Sequence, residues 1–398
     1  MTTQTRTLGL GVIGLGRAFM LMLPTLRRDQ RFKLVAASTP SEEARDKFVR
    51  DFAAVSYENV RDLCHDPKVD VVYIASPHQF HVEHVKLAAE AGKHVLVEKP
   101  LAISLEEGRS MVDAATKAGI HLIVGPSHSF DEPILQAREI IKTGELGKVR
   151  MIQAFNYTDF LYRPRRAEEL DTAQGGGVVF SQAIHQIDVV RLLGGGMLRS
   201  VRALTGSWDT NRPTEGAYSA LLTFADNSFA SLTYSGYGHF DSDELMGGYS
   251  ELGMRKNMDD YARARRSIAG VATAAEELDL KRKRTFEHAG PPENEELADT
   301  NEHFGPIIVC CERGDLRPLA DGVMIYGDEQ KRFQKIPAPS IPRVNVMNEL
   351  YDAVVDDGSP LHSGAWGLAS LEASMAILAS AAEGGKEINM TMQVPAPA

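Results

Sequence analysis

The chain has 398 residues, of which 43% are hydrophobic and 24% are charged, and its formal net charge is −11. This length accommodates about two domains with sizeable cores, and the acidic balance argues against binding a nucleic-acid backbone. No apolar run reaches the length of a membrane span, and the polar N-terminal residues show no secretory signal. The three cysteines, Cys64, Cys310 and Cys311, have neither disulfide nor metal-site spacing, so we expect a reduced, cytoplasmic protein.

The chain begins with an apolar strand, a glycine turn and a helix. The strand is predicted over Leu8–Ile13, and the turn Gly14-Leu15-Gly16 follows it directly. The helix is expected from Ala18 to Leu26. Pro24 lies inside this helix and predicts a kink or an early stop, because proline lacks the N–H that helical hydrogen bonding needs.

Strands and helical stretches continue to alternate after this first unit. A second strand is expected over Phe32–Ala37. The pattern Thr39-Pro40-Ser41-Glu42 then predicts a helix start with Thr39 as the N-cap. Further strands are predicted over Val69–Ala75, His94–Val97 and His121–Val124. Apolar strands alternating with helices predict a parallel sheet covered on both faces.

The pattern changes near Gly147, where strands of an antiparallel sheet begin. These strands are expected over Val149–Tyr157, Val201–Trp208, Ala217–Phe224, Phe229–Tyr234, Ile307–Cys311 and Val323–Tyr326. Helical stretches are expected over Gly175–Leu193, Met254–Arg284, Val346–Val355 and Leu368–Ala382. The Met254–Arg284 stretch is highly charged and has no assigned role.

The glycine turn has the context of a dinucleotide-binding motif. Gly14 and Gly16 follow a strand and precede a helix, so the backbone can approach a pyrophosphate at the helix N-terminus. Phe19 takes the third position of the fingerprint, where Gly or Ala is usual, and suggests a wider helix–strand contact. No acid follows the second strand before Glu42, and Arg45 is placed to meet a 2′-phosphate, so NAD and NADP both stay open. A tight turn without a ligand is the alternative interpretation.

A lysine occupies a position that is typical of cofactor contact. Glu98-Lys99-Pro100 follows the strand His94–Val97, so Lys99 lies at the carboxyl end of a parallel strand, where open α/β sheets bind their ligands. Together with the glycine turn, this placement predicts a nicotinamide-dependent oxidoreductase.

Four segments together resemble the glucose–fructose oxidoreductase/inositol dehydrogenase family, often called Gfo/Idh/MocA. They are Val12–Gly16, Ala75–His81, Ala91–Pro100, and Gly175–Gly177 with His185 and Asp188. The resemblance spans nearly the whole chain. It implies hydride transfer at a secondary alcohol carbon and a second domain whose open sheet often forms oligomer contacts.

We therefore predict an α/β protein with a Rossmann dinucleotide-binding domain over 1–130. An α+β substrate-binding domain with a large, mostly antiparallel open sheet follows over 131–398.

The resemblance also implies roles for individual residues. Lys99 matches the family's active-site lysine and His185 its catalytic histidine. The family often has Asp four residues before that histidine. Here Ser181 shares a helix face with His185 but cannot stabilise an imidazolium as a carboxylate does, so Lys99 is expected to carry more of the proton chemistry. The predicted cofactor contacts are Gly14, Leu15, Gly16, Arg17, Ala18, Ser38, Thr39, Ser76, Pro77, His78, His81, Glu98, Lys99 and Pro100.

A closer resemblance within the family is to the phthalate 4,5-cis-dihydrodiol dehydrogenases, which oxidise a cis-dihydrodiol dicarboxylate to a catechol. It is carried by Pro126–Asp131, Tyr162–Arg166, Cys311–Pro318 and Trp366–Ala369. The arginines of the second segment are interpreted as a carboxylate clamp, because arginine binds planar anions in bidentate geometry. A solvated loop with one salt bridge is the alternative. The predicted substrate contacts are Ser127, His128, Arg163, Arg165, Arg166, Ser181 and His185.

The function predicted from these observations is NAD-dependent oxidation of an aromatic dihydrodiol carboxylate, with NADP not excluded. We expect a homodimer or homotetramer that binds neither nucleic acid nor membrane. No metal site is predicted, because His78, His81 and His84 recur without Cys or a suitable carboxylate set. The alternatives are a sugar or inositol dehydrogenase, disfavoured by the serine and the arginines above, and a non-catalytic dinucleotide-binding regulator, disfavoured by the retained lysine and histidine.

Overall fold

A computed structural model describes residues 6–289 and 297–397. These residues form two compact units. Unit 1 contains the chain up to Pro126, the described part of 279–296, and Ile341–Leu368, whereas unit 2 contains Ser127–Leu278, Leu297–Ser340 and the chain from Ala369. The first boundary lies four residues before the predicted one. Two later segments of the chain also belong to unit 1, whereas the prediction divided the chain only once, after residue 130.

Unit 1 has a six-stranded parallel sheet of order β3-β2-β1-β4-β5-β6. Its strands are β1 Leu8–Ile13, β2 Phe32–Ser38, β3 Val55–Tyr57, β4 Val71–Ile74, β5 His94–Val97 and β6 Leu122–Val124. Its first helices are α1 Arg17–Arg28, α2 Glu42–Phe52, α3 Val60–His65, α4 His81–Glu90 and α5 Leu105–Ala118. β1 and β4 are buried throughout, as expected for strands covered on both faces. The strand order reverses beside β1, and this switch point is where such sheets bind ligands.

Two local predictions in unit 1 were wrong: an early stop of the first helix at Pro24 and an N-cap at Thr39. α1 continues through Pro24 to Arg28, because the burial of one apolar face, including Phe19, outweighs the missing N–H of the proline. The N-cap of α2 is Ser41 and not Thr39, since the Ser41 hydroxyl accepts the N–H of Ala44 at 3.1 Å. The helix therefore begins two residues later than the capping pattern predicts.

Unit 2 has a nine-stranded sheet of order β14-β13-β12-β11-β7-β10-β9-β8-β15, in which β7 and β10 pair in parallel and the other neighbours pair antiparallel. The predicted large, mostly antiparallel sheet is confirmed. Its strands are β7 Val149–Tyr157, β8 Leu198–Gly206, β9 Ala217–Phe224, β10 Phe229–Ser235, β11 Ile307–Cys311, β12 Gly314–Leu319, β13 Gly322–Gly327, β14 Lys331–Lys335 and β15 Ile388–Asn389. Its first helices are α6 Glu132–Lys142 and α7 Ile184–Leu193. One face of the sheet stays open, with alternate residues such as Leu204, Leu221 and Ile308 exposed.

The sequence missed some elements of the second half. β12 was not predicted, nor was β14, which is exposed along its whole length and so lacks the apolar alternation of a half-buried strand. The long helix expected over Met254–Arg284 is instead two short ones, α8 Arg263–Ile268 and α9 Ala274–Arg282. Neither short helix has a buried residue, so no apolar stripe supports a longer helix.

The two closing helices are α10 Val344–Asp356 and α11 Gly364–Ala382. By length and composition α11 could cross a membrane, so the expectation that no apolar run reaches this length was wrong. However, 67% of its apolar window is buried inside the protein, which is the condition of a core helix.

Candidate active site

The glycine turn of unit 1 is shaped for close approach by a ligand. Gly14 has φ +92°, and a Cβ there would lie 2.8 Å from the carbonyl oxygen of Ala75, so only glycine fits. Its N–H donates to the carbonyl of Ser38 at 2.8 Å and thereby joins the ends of β1 and β2. A Cβ at Gly16 would meet nothing within 4 Å. α1 begins directly after this open position without a side-chain cap, so the turn fits the pyrophosphate of a dinucleotide.

A distant segment of the chain packs against this turn. The N–H of Phe286 donates to the carbonyl of Leu15 at 3.2 Å. The Phe286 ring lies 5.4 Å from Phe19 and 6.3 Å from Phe48, centroid to centroid. This aromatic cluster explains the phenylalanine at the third fingerprint position. The Phe19 ring packs in a small core to which the distant residue Phe286 contributes. Sequence reasoning missed the contribution of residues 279–289.

Lys99 follows β5, as predicted, and is partly buried. The preceding residue, Glu98, is 9% exposed and accepts a hydrogen bond from the Tyr73 hydroxyl at 2.6 Å. Burial raises the pKa of Glu98, against the opposing effects of the Tyr73 hydrogen bond and the Lys99 charge. Glu98 is therefore fixed in the interior directly after β5, and this position fixes the backbone from which the Lys99 side chain extends.

The structure places His81 in the interior of unit 1. This residue is fully buried, its Nε2 lies 3.0 Å from the Ser76 carbonyl, and its Nδ1 lies 3.1 Å from the Pro100 carbonyl. Burial lowers the pKa of His81. The neutral ring donates from one nitrogen to a backbone carbonyl and packs between the segments that follow β4 and β5. Its role at the cofactor stays a prediction.

The other predicted cofactor residues lie at the carboxyl ends of the parallel strands. Ser38 is 2% exposed and its hydroxyl donates to the Glu58 carbonyl at 3.4 Å, so its part is to hold the loop. Thr39 and Pro40 follow, and their carbonyls accept Nη1 of Arg45 at 2.7 and 2.9 Å. The remaining members are Arg17 and Ala18 in the first turn of α1, and Pro77 and His78 in the turn before α4.

In unit 2, His185 lies in the first turn of α7. Its Nδ1 is 3.4 Å from the Ser127 hydroxyl, and its ring is 4.9 Å from the rings of both His128 and Phe304. Ser181 lies one turn earlier in a π-helical segment, Val179–Ala183; such segments are frequent at functional sites. The structure therefore brings Ser127, His128 and His185 together, as predicted.

His128 is oriented by a carboxylate. Its Nδ1 lies 2.7 Å from Oδ2 of Asp131. Burial is the largest single effect and opposes the charge of this ring. The charge and hydrogen bond of Asp131, together with the charges of Glu302 and Glu251, outweigh it and raise the pKa of His128. Ligand atoms of His128, Asp131 and Glu302 lie within 4.8 Å of one another. Because His128 already uses Nδ1 in the contact with Asp131, we assign this group to the orientation of the ring.

The glycine-rich segment before α7 is held by Glu215. The Glu215 carboxylate accepts the N–H of Val179 at 3.1 Å and the hydroxyl of Thr214 at 3.1 Å, and it also accepts the Thr172 hydroxyl. Gly177 has φ +81°, and a Cβ there would lie 2.0 Å from Oε1 of Glu215. This buried carboxylate thus fixes the start of the segment that ends at the predicted catalytic histidine.

All three predicted clamp arginines have a carboxylate within 3.8 Å. Arg163 lies 3.3 Å from Asp159 and 3.7 Å from Glu251. Burial disfavours the charge of Arg163, yet these carboxylates raise its pKa overall. Arg166 lies 3.0 Å from Glu168, and it is also close to Glu169.

Arg165 is less well compensated. Its guanidinium carbon lies 3.6 Å from the centroid of the Phe160 ring, and Nη2 donates to the Phe160 carbonyl at 2.7 Å. The Glu169 carboxylate is 3.8 Å away. Burial lowers the pKa of Arg165 to about 10. Among the described residues, Nε of Arg165 and Nε of Arg166 are both buried atoms without a hydrogen-bond partner. Nε of Arg166 nevertheless lies 3.0 Å from the Glu168 carboxylate, whereas Arg165 is farther from its carboxylate, so its charge is more available to an anion.

The arginine loop and His185 belong to one aromatic cluster. The Tyr234 ring stacks 6.1 Å from Phe304, which also packs against His185. The charges of Arg163 and Arg165 act on the Tyr234 hydroxyl, opposing the rise in pKa that burial causes. The contact chain continues from the Tyr234 hydroxyl, 2.8 Å from that of Thr158, to Phe160, whose ring packs against Arg165.

A cavity of about 500 Å³ in unit 2 is not the predicted site. Its aromatic wall includes Tyr157, Trp208 and Phe240, and its charged lining residue, Asp209, is acidic. Its lining includes His239 but neither His185 nor Arg165, and no lysine or arginine.

Comparison with known proteins places the chain in a family. The profile described as "Oxidoreductase family, NAD-binding Rossmann fold" matches residues 8–126, and the profile of the GFO/IDH/MocA C-terminal domain matches residues 134–246. A protein of Comamonas testosteroni is 44% identical over 394 residues, which cover 98% of each chain. The chain belongs to the Gfo/Idh/MocA family. It is accordingly an NAD-binding oxidoreductase, and the predicted family, fold class and cofactor are confirmed.

The relatives are named for different activities. The Comamonas protein is named 1-carboxy-3-chloro-3,4-dihydroxycyclohexa-1,5-diene dehydrogenase. The crystal structure of a dehydrogenase from Bordetella bronchiseptica RB50 is 39% identical, with TM-score 0.89 and coverage of 96% of this chain and 100% of that one. The WlbA dehydrogenase from Bordetella pertussis, in complex with NADH and UDP-GlcNAcA, is 19% identical, with TM-score 0.71 and coverage of 97% and 98%. That last likeness concerns the fold alone.

The contact between Gly177 and Glu215 leads to a first prediction. Gly177→Ala should destabilise the protein by roughly 2–4 kcal/mol, because it combines a left-handed alanine with displacement of a buried carboxylate. Gly195→Ala is the matched control, since Gly195 has φ +87° but a Cβ there would meet nothing within 4 Å; we expect it to cost about 1 kcal/mol. Urea unfolding measures both. In a Glu215→Ala background the two substitutions should cost the same, and an undiminished extra cost of Gly177→Ala there would contradict the assignment.

Proposed function

We propose that this NAD-binding oxidoreductase oxidises a cyclohexadiene cis-diol that carries a carboxylate to the corresponding catechol. The observation that carries the proposal is Arg165, a buried and under-compensated cation in the same cluster as His185. The name of the Comamonas relative, a carboxylated dihydroxycyclohexadiene dehydrogenase, supports the same substrate class. The phthalate 4,5-cis-dihydrodiol is our proposed substrate within that class.

Each unit has its own part in the proposed reaction. In unit 1 the open position at Gly16 and the uncapped start of α1 would hold the dinucleotide, which supplies the hydride acceptor when it is bound. Lys99, as the neutral amine, would receive the proton of the diol hydroxyl at Nζ. In unit 2 Arg165 would bind the carboxylate, and Ser127 would hold the His185 ring in place through Nδ1.

The proton and hydride balance is that of an alcohol oxidation. The C–H bond of one carbinol carbon is broken with its electron pair leaving as hydride, and the O–H proton passes to the base. The resulting hydroxyketone enolises to the aromatic catechol. Aromatisation makes the overall oxidation favourable, so the protein's task is to position the diol and to remove one proton.

A substrate panel tests the proposed function. Reduction of NAD, followed by nicotinamide absorbance, should be fastest with a carboxylated cis-diol such as the phthalate 4,5-cis-dihydrodiol or the chlorinated monocarboxylate. A neutral cis-diol of the same ring should have a kcat/KM lower by roughly tenfold or more, because it cannot use the buried arginine. Faster oxidation of myo-inositol or of a neutral sugar would contradict the proposal and leave only the family assignment.

Arg165 should set the preference for carboxylated substrates. Arg165→Ala is expected to lower kcat/KM for the carboxylated diol by roughly 2–5 kcal/mol of transition-state binding, with little change for the neutral diol. Arg166→Ala is the matched control, because this neighbouring arginine is paired with Glu168 and is 32% exposed. Equal losses on both diols, or a larger selective loss in the control, would show that the carboxylate is bound elsewhere.

Lys99 should act in proton transfer and not in holding the fold. Lys99→Ala should lower kcat by about a hundredfold or more, while NADH affinity, measured by fluorescence titration, stays close to that of the wild type. Lys99→Arg separates charge from proton acceptance, since arginine keeps the charge but does not accept a proton near neutral pH. A near-normal kcat in the arginine variant would exclude Lys99 as the proton acceptor.

The remaining expectations concern the state of the protein in the cell. The homodimer or homotetramer, the cytoplasmic location and the place in aromatic catabolism stay predictions. The open face of the unit 2 sheet, with its mixture of apolar and polar side chains, is compatible with an interface between copies of the chain. Light scattering of the purified protein measures its mass and decides the oligomeric state.

A further inference from the structure

The adenosine end of the dinucleotide site lacks a local acid. In Rossmann domains an acid near the end of the second strand accepts a hydrogen bond from the ribose 2′-hydroxyl and so favours NAD over NADP. β2 ends here at Ser38, and the following Thr39, Pro40 and Ser41 carry no charge. The first acid along the chain, Glu42, is exposed in the first turn of α2.

A carboxylate from far along the chain lies at this loop. The hydroxyl of Ser41 donates to Oε2 of Glu287 at 2.7 Å, across 246 positions of sequence. The Glu287 side chain is 24% exposed, so it is largely enclosed but still accessible. The hydrogen bond from Ser41 lowers the pKa of Glu287, as does a side-chain hydrogen bond with Glu43 of α2, and both favour the anionic form of Glu287.

The segment that carries Glu287 is firmly attached to unit 1. Phe286, the preceding residue, is 2% exposed, and its N–H donates to the carbonyl of Leu15 within the glycine turn. Nζ of Lys47 donates to the Phe286 carbonyl at 2.7 Å and also to the Ala289 carbonyl. These contacts extend from the glycine turn to α2, the two elements that flank the adenosine ribose in a Rossmann domain.

We propose that Glu287 is the residue that selects NAD against NADP in this protein. Its carboxylate would accept a hydrogen bond from the ribose 2′-hydroxyl and would repel a 2′-phosphate. The acid that other Rossmann domains place after the second strand is thus supplied here by a returning segment of the chain. This inference rests on the NAD-binding assignment and not on the proposed diol substrate.

The same region contains cations that would act in the opposite direction. Arg45 is the nearest on the β2–α2 segment, and its Nη1 is engaged with the carbonyls of Thr39 and Pro40. The charges of Arg282 and His288 act on Glu287 from its own segment. The Ser41 hydroxyl of the loop nevertheless donates to the Glu287 carboxylate, so we expect the negative charge to dominate at the ribose.

Direct binding of the two cofactors tests this assignment. NADH and NADPH are titrated into the full-length wild type, Glu287→Gln and Glu42→Gln, and Kd is measured by calorimetry in the absence of any diol. The wild type should bind NADH at least about tenfold more tightly than NADPH. Glu287→Gln should reduce this ratio about tenfold, mainly through tighter NADPH binding, because glutamine removes the charge but can still accept the Ser41 hydrogen bond. Glu42→Gln is the matched control and should leave the ratio unchanged.

Three results would overturn the proposal. They are an unchanged NADPH/NADH ratio in a folded Glu287→Gln variant, a shift of the ratio in Glu42→Gln instead, and a wild-type preference for NADPH that is lost in Arg45→Ala. Thermal unfolding of each variant establishes that the fold is intact. Because no substrate is present, failure of the diol assignment leaves these measurements unaffected.

Discussion

Burial of a charge is unfavourable unless a partner compensates it, and unit 2 buries several charges around its predicted catalytic helix. Arg191 on α7 is fully buried, and its donors reach the Ser370 hydroxyl at 2.7 Å and the Gln393 amide oxygen at 3.0 Å. Arg163 is held by its neighbouring carboxylates. Even Asp243, whose pKa burial raises to about 7, lies 2.9 Å from Lys256. Arg165 is less well compensated than Arg163, because its carboxylate partner, Glu169, lies 3.8 Å away and burial lowers its pKa to about 10.

The same constraint orders the carboxyl edge of the sheet in unit 1. The ring of His81 lies against the backbone carbonyls of Ser76 and Pro100, which follow β4 and β5. The Glu98 carboxyl group accepts a hydrogen bond from the Tyr73 hydroxyl. These polar groups are buried, and their hydrogen bonds join segments that are distant in sequence. They therefore determine the path of the chain at this edge. Lys99 is more exposed than either Glu98 or His81. The groups that hold the edge are therefore separate from the lysine to which we assign proton transfer.

Local patterns were enough to predict much of this architecture. The turn at Gly14 depends on a backbone angle that only glycine adopts easily, and the strand before Lys99 is a short apolar run bounded by turn residues, so both are visible in the sequence. The surroundings of His81 could not be predicted from the sequence, because the carbonyls beside it come from two different loops. The contact between Ser41 and Glu287 spans 246 positions, so no local sequence pattern predicts it. The roles of the individual site residues stay predictions until variants are measured.

The distribution of charge also bears on which carboxylated diol the protein accepts. The sequence does not distinguish the three arginines of the predicted clamp. From the sequence alone, a phthalate-derived diol with two carboxylates therefore matches their positive charges well. In the folded chain Arg163 and Arg166 each have carboxylate partners, and the His128 ring is balanced by Asp131. Within this loop the charge of Arg165 is thus the one best suited to a ligand, and it can balance one carboxylate. A second carboxylate would remain in contact with solvent, because displacing an acidic side chain from its arginine costs binding free energy. We therefore expect the proposed phthalate-derived diol to bind Arg165 through one carboxylate and to keep its second carboxylate in solvent.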